Sequence, residues 1–174
     1  MHATVRTFRR PPDRQDVLVP PPTDADRPSG SLVVDHLSGG EITVVAFWPE
    51  GRAPAGAAPY RVTDRLSGAA AGRRPLFAQL TWLNAVGDPA VAAAAERGGR
   101  ERIHPAIRDV DGLVEVLVLR SADHRIVVVG LTTGLETQAE IRDRIAVTRL
   151  LPGEDPALLP GPDNYWGWTR WPGQ

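Results

Sequence analysis

Cysteine is absent from this 174-residue chain, which excludes disulfides, thiolate metal sites and cysteine nucleophiles. Long apolar runs are absent as well. No stretch reaches the roughly 20 residues that a helical membrane span needs, and Arg6, Arg9 and Arg10 lead into Pro11-Pro12 without a signal-peptide core. An excess of one charge is also missing. The 20 basic and 21 acidic residues leave a formal charge of -1, so no basic field gathers nucleic acid and no acidic tail offers a charged partner. The cationic charge is arginine, which with abundant Ala, Gly and Pro points to a GC-rich coding sequence rather than to a binding role. Phosphate-binding and hydrolase motifs (P-loop, G-x-G-x-x-G, G-x-S-x-G, H-E-x-x-H) do not occur. The four histidines, His2, His36, His104 and His124, lack metal-ligand spacing. The expectation is a cytoplasmic protein with no resident metal or cofactor, and no membrane or nucleic-acid partner.

What the chain does have is strand signal. Hydrophobic residues make up 42% of it, enough for a real core. Leu113 to Leu119 (LVEVLVL) and Ile126 to Leu131 (IVVVGL) flank a short polar stretch, an antiparallel hairpin apolar on both faces. Leu76 to Leu83 (LFAQLTWL) reads as another strand, with Ala78, Leu80 and Trp82 on one face. Its other face mixes Phe77, Gln79, Thr81 and Leu83, which suits a lined cavity better than a dry core. Asp88-Pro89 makes an N-cap and N1 pair for an Ala-rich helix. A break or bend is expected at Gly98-Gly99, because each glycine costs about 1 kcal/mol against alanine, before a second helical stretch near Arg100 to Ile107. A second helix is expected from about Leu135 to Leu150. The proline-rich PGEDPALLPGPD that follows reads as irregular, and the aromatic run Asn164 to Trp171 as a last strand. The order is β-α-β-β-α-β, that of a ferredoxin-like unit.

The first half repeats this order in reduced form. SLVVDHL, a Ser-Gly-Gly turn and Glu41 to Trp48 (EITVVAFW) make a second hairpin. A strand near Ala3 to Phe8 precedes it and Tyr60 to Leu66 follows. Six prolines between Phe8 and Ser31, and Pro49, Pro54 and Pro59 later, exclude normal helices there. The fold expected is therefore α+β: two ferredoxin-like repeats, the first helix-poor, forming a single-chain barrel. Residues 1–72 form the degenerate repeat and residues 73–174 the complete one, together a compact unit.

The stretch ERIHPAIRDVDGLVEVLVLRSADHRIVVVGLTTGLETQAEIRDRI carries a resemblance. A helix ending near a proline, a glycine, a hairpin with Arg-Ser-x-Asp between its strands and a small polar turn into a helix resemble the antibiotic biosynthesis monooxygenase family of the dimeric α+β barrel group. The likeness spans about 45 residues closely and the rest loosely. It implies two ferredoxin-like units packed sheet to sheet, as a fused form of that family's dimer. The family's activities include cofactor-free oxidation of polyketide anthrones with O2, haem degradation and cyclisation. Members often carry Trp at the end of the third strand. Here the second repeat has Leu131-Thr132-Thr133 at that place, and the first has Trp48.

Five tryptophans are a heavy allocation. Trp166 and Trp168 share one strand face with Asn164 and Arg170, either as flat walls for a planar polycyclic ligand or as plugs where helices are missing. Trp82 and Asn84 stand together at a strand end, where the amide either holds a phenolic or O2-derived oxygen or makes a turn. His36, beside Asp35, is the candidate general base for deprotonating an anthrone. His104 and His124 read more plainly as a helix-end residue and a turn residue. Arg120 and Arg73 either neutralise a phenolate or form surface pairs. The reading is a cofactor-independent monooxygenase-like enzyme acting on an aromatic polyketide-type molecule in secondary metabolism, as a monomer or homodimer. Catalysis falls to His36, Asn84 and Trp82, and substrate binding to Trp48, Trp166, Trp168 and Arg120. A non-oxidative cyclase of the same fold, or a non-catalytic binding protein, are the alternatives.

Overall fold

A computed structural model describes residues 1–9, 28–36, 39–50, 59–161 and 163–170, the last segment through its backbone. Eight strands form a closed barrel in the order β1-β3-β2-β8-β5-β7-β6-β4. They are β1 (His2–Arg9), β2 (Gly30–His36), β3 (Glu41–Trp48), β4 (Tyr60–Ser67), β5 (Phe77–Leu83), β6 (Leu113–Ser121), β7 (Ile126–Thr132) and β8 (Asp163–Arg170). Every pairing is antiparallel.

This order contains the same unit twice. β4-β1-β3-β2 and β8-β5-β7-β6 each place the fourth strand beside the first and the third between first and second, the ferredoxin-like arrangement. Two cross-unit seams, β2–β8 and β4–β6, close the barrel. The helices lie in the second unit: α1 (Pro89–Gly98), α2 (His104–Ile107) and α3 (Leu135–Ala146). The first unit has none among its described residues, in keeping with its prolines.

Alternation along the strands separates two faces. Leu32, Val34, Val45, Ala78, Leu80, Leu117, Leu119, Val127 and Val129 fill the barrel interior. On the outer face, Ile107, Val110, Leu113 and Val116 pack beneath Ile141 and Ile145 of α3, while Ala92 of α1 covers Val118 and Ile126. β6 and β7 are therefore buried on both sides, which explains their nearly continuous apolar runs. Each fully buried Leu or Val contributes about 1.5–3 kcal/mol relative to exposure.

Two helical expectations are refined. Asp88 caps α1 as its sequence suggests, accepting from Ala90 N at 2.7 Å. At Gly98-Gly99 the chain changes from α-helix to π-turn without leaving the helix, and the expected second helical stretch follows. Both glycines stay right-handed, and α1 runs through a π-turn (Gly99–Ile103) into α2. The reason is tertiary. Arg102 of the π-turn pairs with the buried Glu154 at 3.0 Å and donates to Thr148 at 2.8 Å, and the bare Gly98 leaves room for that carboxylate. The same residues shorten α3, which ends at Ala146 rather than Leu150. Thr148 donates its hydroxyl to the carbonyl of Ile145 at 2.7 Å, capping the last turn. Within the proline-rich segment, Asp155 starts one 3-10 turn at Pro156–Leu158.

Candidate functional site

His36 faces the barrel interior at the end of β2, in a polar ladder crossing three strands. Its Nε2 lies 2.9 Å from Thr43 Oγ1, which lies 2.9 Å from Thr7 Oγ1, and its Nδ1 is 3.5 Å from Glu41 Oε2. The register explains the meeting, since Thr7 stands opposite Thr43, and Thr43 opposite Val34, two residues before His36. Both imidazole nitrogens are thus engaged.

The other sequence candidates do not converge on His36. Asn84 is buried at the start of the β5–α1 turn with φ +60°. Its Nδ2 donates to the carbonyls of Asp88 at 2.7 Å and His124 at 2.8 Å, and its Oδ1 accepts from Asp88 N at 2.9 Å. The whole amide is used in holding the turn, so the turn reading of Asn84 fits the geometry and a substrate-holding one lacks a free donor. Trp82 points inward and packs on the interior cluster. Trp48 lies on the opposite face of its strand from Phe47, buried, its indole donating to Thr4 Oγ1 at 3.2 Å. Arg120 reaches across to α1, pairing with Glu96 at 2.9 Å and donating to His124 Nδ1 at 2.8 Å. Trp166 and Trp168 stand opposite Gln79 and Phe77 in the β5–β8 register. Their side chains lie outside the described part of the structure.

A different group of residues lies in the layer between the sheet and α3. Gln79, Gly130 and Val116 are directly paired across β5, β7 and β6 and share one face. Val116 belongs to the helix-covered cluster, so that face is the outer one. A side chain built on Gly130 would meet nothing within 4 Å, which leaves open space over the middle of the sheet. Gln79 Nε2 donates to Thr81 Oγ1 at 3.1 Å on the same face. Above, Gln138 shares the sheet-facing side of α3 with Ile141 and Ile145 by its helical spacing. Gln138 is 1% exposed, and neither its Nε2 nor its Oε1 has a hydrogen-bond partner among the described residues.

A buried amide with both ends unsatisfied costs about 1–3 kcal/mol per group. A donor and an acceptor held dry in this layer suit a polar group on an otherwise flat, apolar ligand. The mixed face of β5 is visible in the sequence through Gln79 and Thr81. Gln138 is not, because a glutamine in LETQAEIRDRI reads as solvated until the packing of α3 is known. Among the described residues no group of three His, Asp or Glu could hold a metal ion, and no helix is long and apolar enough to cross a membrane.

No family model matches the chain, and no curated protein matches it. Solved structures do. A candidate monooxygenase from Fusobacterium nucleatum aligns with a TM-score of 0.57 at 10% identity, covering 97% of this chain and 91% of that one. An anthrone oxidase-like protein aligns with a TM-score of 0.54 at 15% identity, covering 99% and 94%. A ferredoxin-fold protein related to antibiotic biosynthesis monooxygenases, from Listeria monocytogenes, gives 0.48 at 11% identity, covering 95% and 93%. At these identities the first two alignments establish a shared fold over nearly the whole chain.

Proposed function

We propose that this chain is a monooxygenase-like enzyme that oxidises an aromatic, polyketide-type small molecule in secondary metabolism, with the substrate lying between α3 and the outer face of β5 and β7. The observation that carries this reading is Gln138, a buried amide on the sheet-facing side of α3 without a hydrogen-bond partner among the described residues. The fold shared with an anthrone oxidase-like protein supports the reaction type. A hydroxyanthrone suits such a layer, being flat and apolar with oxygens at its edges.

The chemistry asks little of a cofactor. Removing a proton from the ring methylene gives an electron-rich anion that reacts with O2. One oxygen atom becomes the new quinone carbonyl, and the other leaves as water with the two methylene hydrogens. The protein's part is to favour the anion and exclude bulk water. In this reading Gln138 Nε2 donates to the anion's oxygen, and Gln79 and Thr81 fix the edge of the ring system. Trp166 and Trp168 belong to the strand beside Gln79. His36 lies on the interior side of the sheet, opposite this layer, and takes no direct part in the step. The enzyme works in the cytoplasm as a monomer or homodimer.

The test is oxygen uptake by the purified protein with a hydroxyanthrone, without added metal, flavin or nicotinamide. Protein-dependent uptake with one quinone formed per O2 is expected. Tight binding of the hydroxyanthrone with uptake at the spontaneous rate would replace the oxygenase reading with non-oxidative cyclisation or ligand binding.

A further inference from the structure

At the end of the barrel where β4 finishes and β6 begins, a cleft of about 580 Å³ opens between the strands and the 71–75 loop. This volume lies in the range of small-molecule sites. Leu131 and Val114 form its apolar floor. Leu131 faces the barrel interior, whereas its neighbour Gly130 faces α3, so this cleft and the layer under α3 lie on opposite sides of the sheet.

The described lining of the cleft carries three guanidinium groups, Arg65, Arg73 and Arg74, and one carboxylate, Glu115. Glu115 is taken by Arg65 in a two-pronged pair, Nε to Oε1 and Nη2 to Oε2, the second at 3.2 Å. Arg73 has no carboxylate partner among the described residues. Its backbone is nonetheless well held: its N–H donates to the Ala70 carbonyl at 3.0 Å, Gly72 turns the chain at φ +84°, and Pro75 is buried. A planar fork on a fixed turn, above an apolar floor, is the recognition chemistry of a carboxylate attached to an apolar body.

We propose that the mouth of the barrel binds a small organic acid, its carboxylate on Arg73 at the rim and its apolar part over Leu131 and Val114. The site is distinct from the layer under α3, and its occupancy does not depend on the oxygenase reading.

Titration with 1-naphthoate, followed by amide chemical shifts, tests the proposal. Saturable binding is expected, with the largest shifts at Gly72, Arg73, Arg74 and Glu115. The neutral 1-naphthalenemethanol should bind at least tenfold more weakly, as should acetate, which lacks the apolar body. Arg73→Gln changes an exposed side chain, and it should weaken 1-naphthoate at least tenfold. Absence of saturable binding, shifts confined to α3 and β5, equal affinity for the alcohol, or undiminished affinity in Arg73→Gln would each overturn it.

Discussion

Asn84 holds a left-handed backbone at φ +60° and ties the β5–α1 turn to Asp88 on one side and to the β6–β7 hairpin, through His124, on the other. Asn84→Ala removes three hydrogen bonds and leaves a non-glycine residue in the left-handed region without the side-chain bonds that favour asparagine there. A loss of about 2–4 kcal/mol is expected in urea denaturation. Asn84→Gly should fall between it and the native protein, since glycine removes the bonds without the strain. His104 is a second residue whose surroundings decide its behaviour. Burial pushes its imidazole below the ordinary 6.5, the Asp64 carboxylate 3.8 Å away opposes this, and Arg100 adds to the lowering. The folded protein therefore takes up this proton less readily than the unfolded chain, so His104 lowers stability as pH falls below about 6.5. Melting temperatures between pH 5 and 8 should show a shallower acid-side decline for His104→Gln than for the native protein. An unchanged slope would remove His104 as its source.

At the scale of elements, the run from α1 through the π-turn to α2 shows tertiary packing overruling propensity. Gly98 is a helical glycine, and on propensity alone Gly98→Ala should stabilise by about 1 kcal/mol. Its β-carbon would stand 2.6 Å from Glu154 Oε1, a carboxylate held by Arg102. Gly98→Ala should therefore lower the unfolding midpoint, whereas a rise would mean that Glu154 moves aside freely. The strands were legible in the sequence because their β-branched runs and turn residues act locally, and Asp88-Pro89 marked the start of α1 for the same reason. The path through Gly98-Gly99 was not, since it depends on Glu154, more than fifty residues away. The candidate site was legible only in part. The mixed face of β5 announced Gln79 and Thr81, while the status of Gln138 depends on how α3 meets the sheet. The partners that occupy Asn84 and Arg120 likewise come from distant turns and helices.

For the whole molecule, the doubled strand order makes the barrel depend on its two cross-unit seams. At the β4–β6 seam, Gly68 donates to the Val114 carbonyl at 3.0 Å, and a β-carbon there would lie 2.2 Å from the Leu113 carbonyl oxygen. Backbone cannot yield as a side chain can. Gly68→Ala should cost more than about 3 kcal/mol, or prevent folding, which solubility and thermal unfolding would register. We propose that residues 1–72 and 73–174 are the two repeats of an ancestral pair, joined close to this glycine. The central claim concerns the layer that the second repeat's helices form over the sheet. In the proposed reading, the buried amide without a partner among the described residues is completed by substrate, a cost to stability kept for function. Oxygen uptake by Gln138→Leu with a hydroxyanthrone, on protein whose melting temperature is recorded alongside, tests this most directly. The account predicts a variant at least as stable as the native protein, since leucine fills the same space without unsatisfied groups, with uptake reduced to the spontaneous rate. Uptake equal to that of the native protein in a folded Gln138→Leu variant would contradict it.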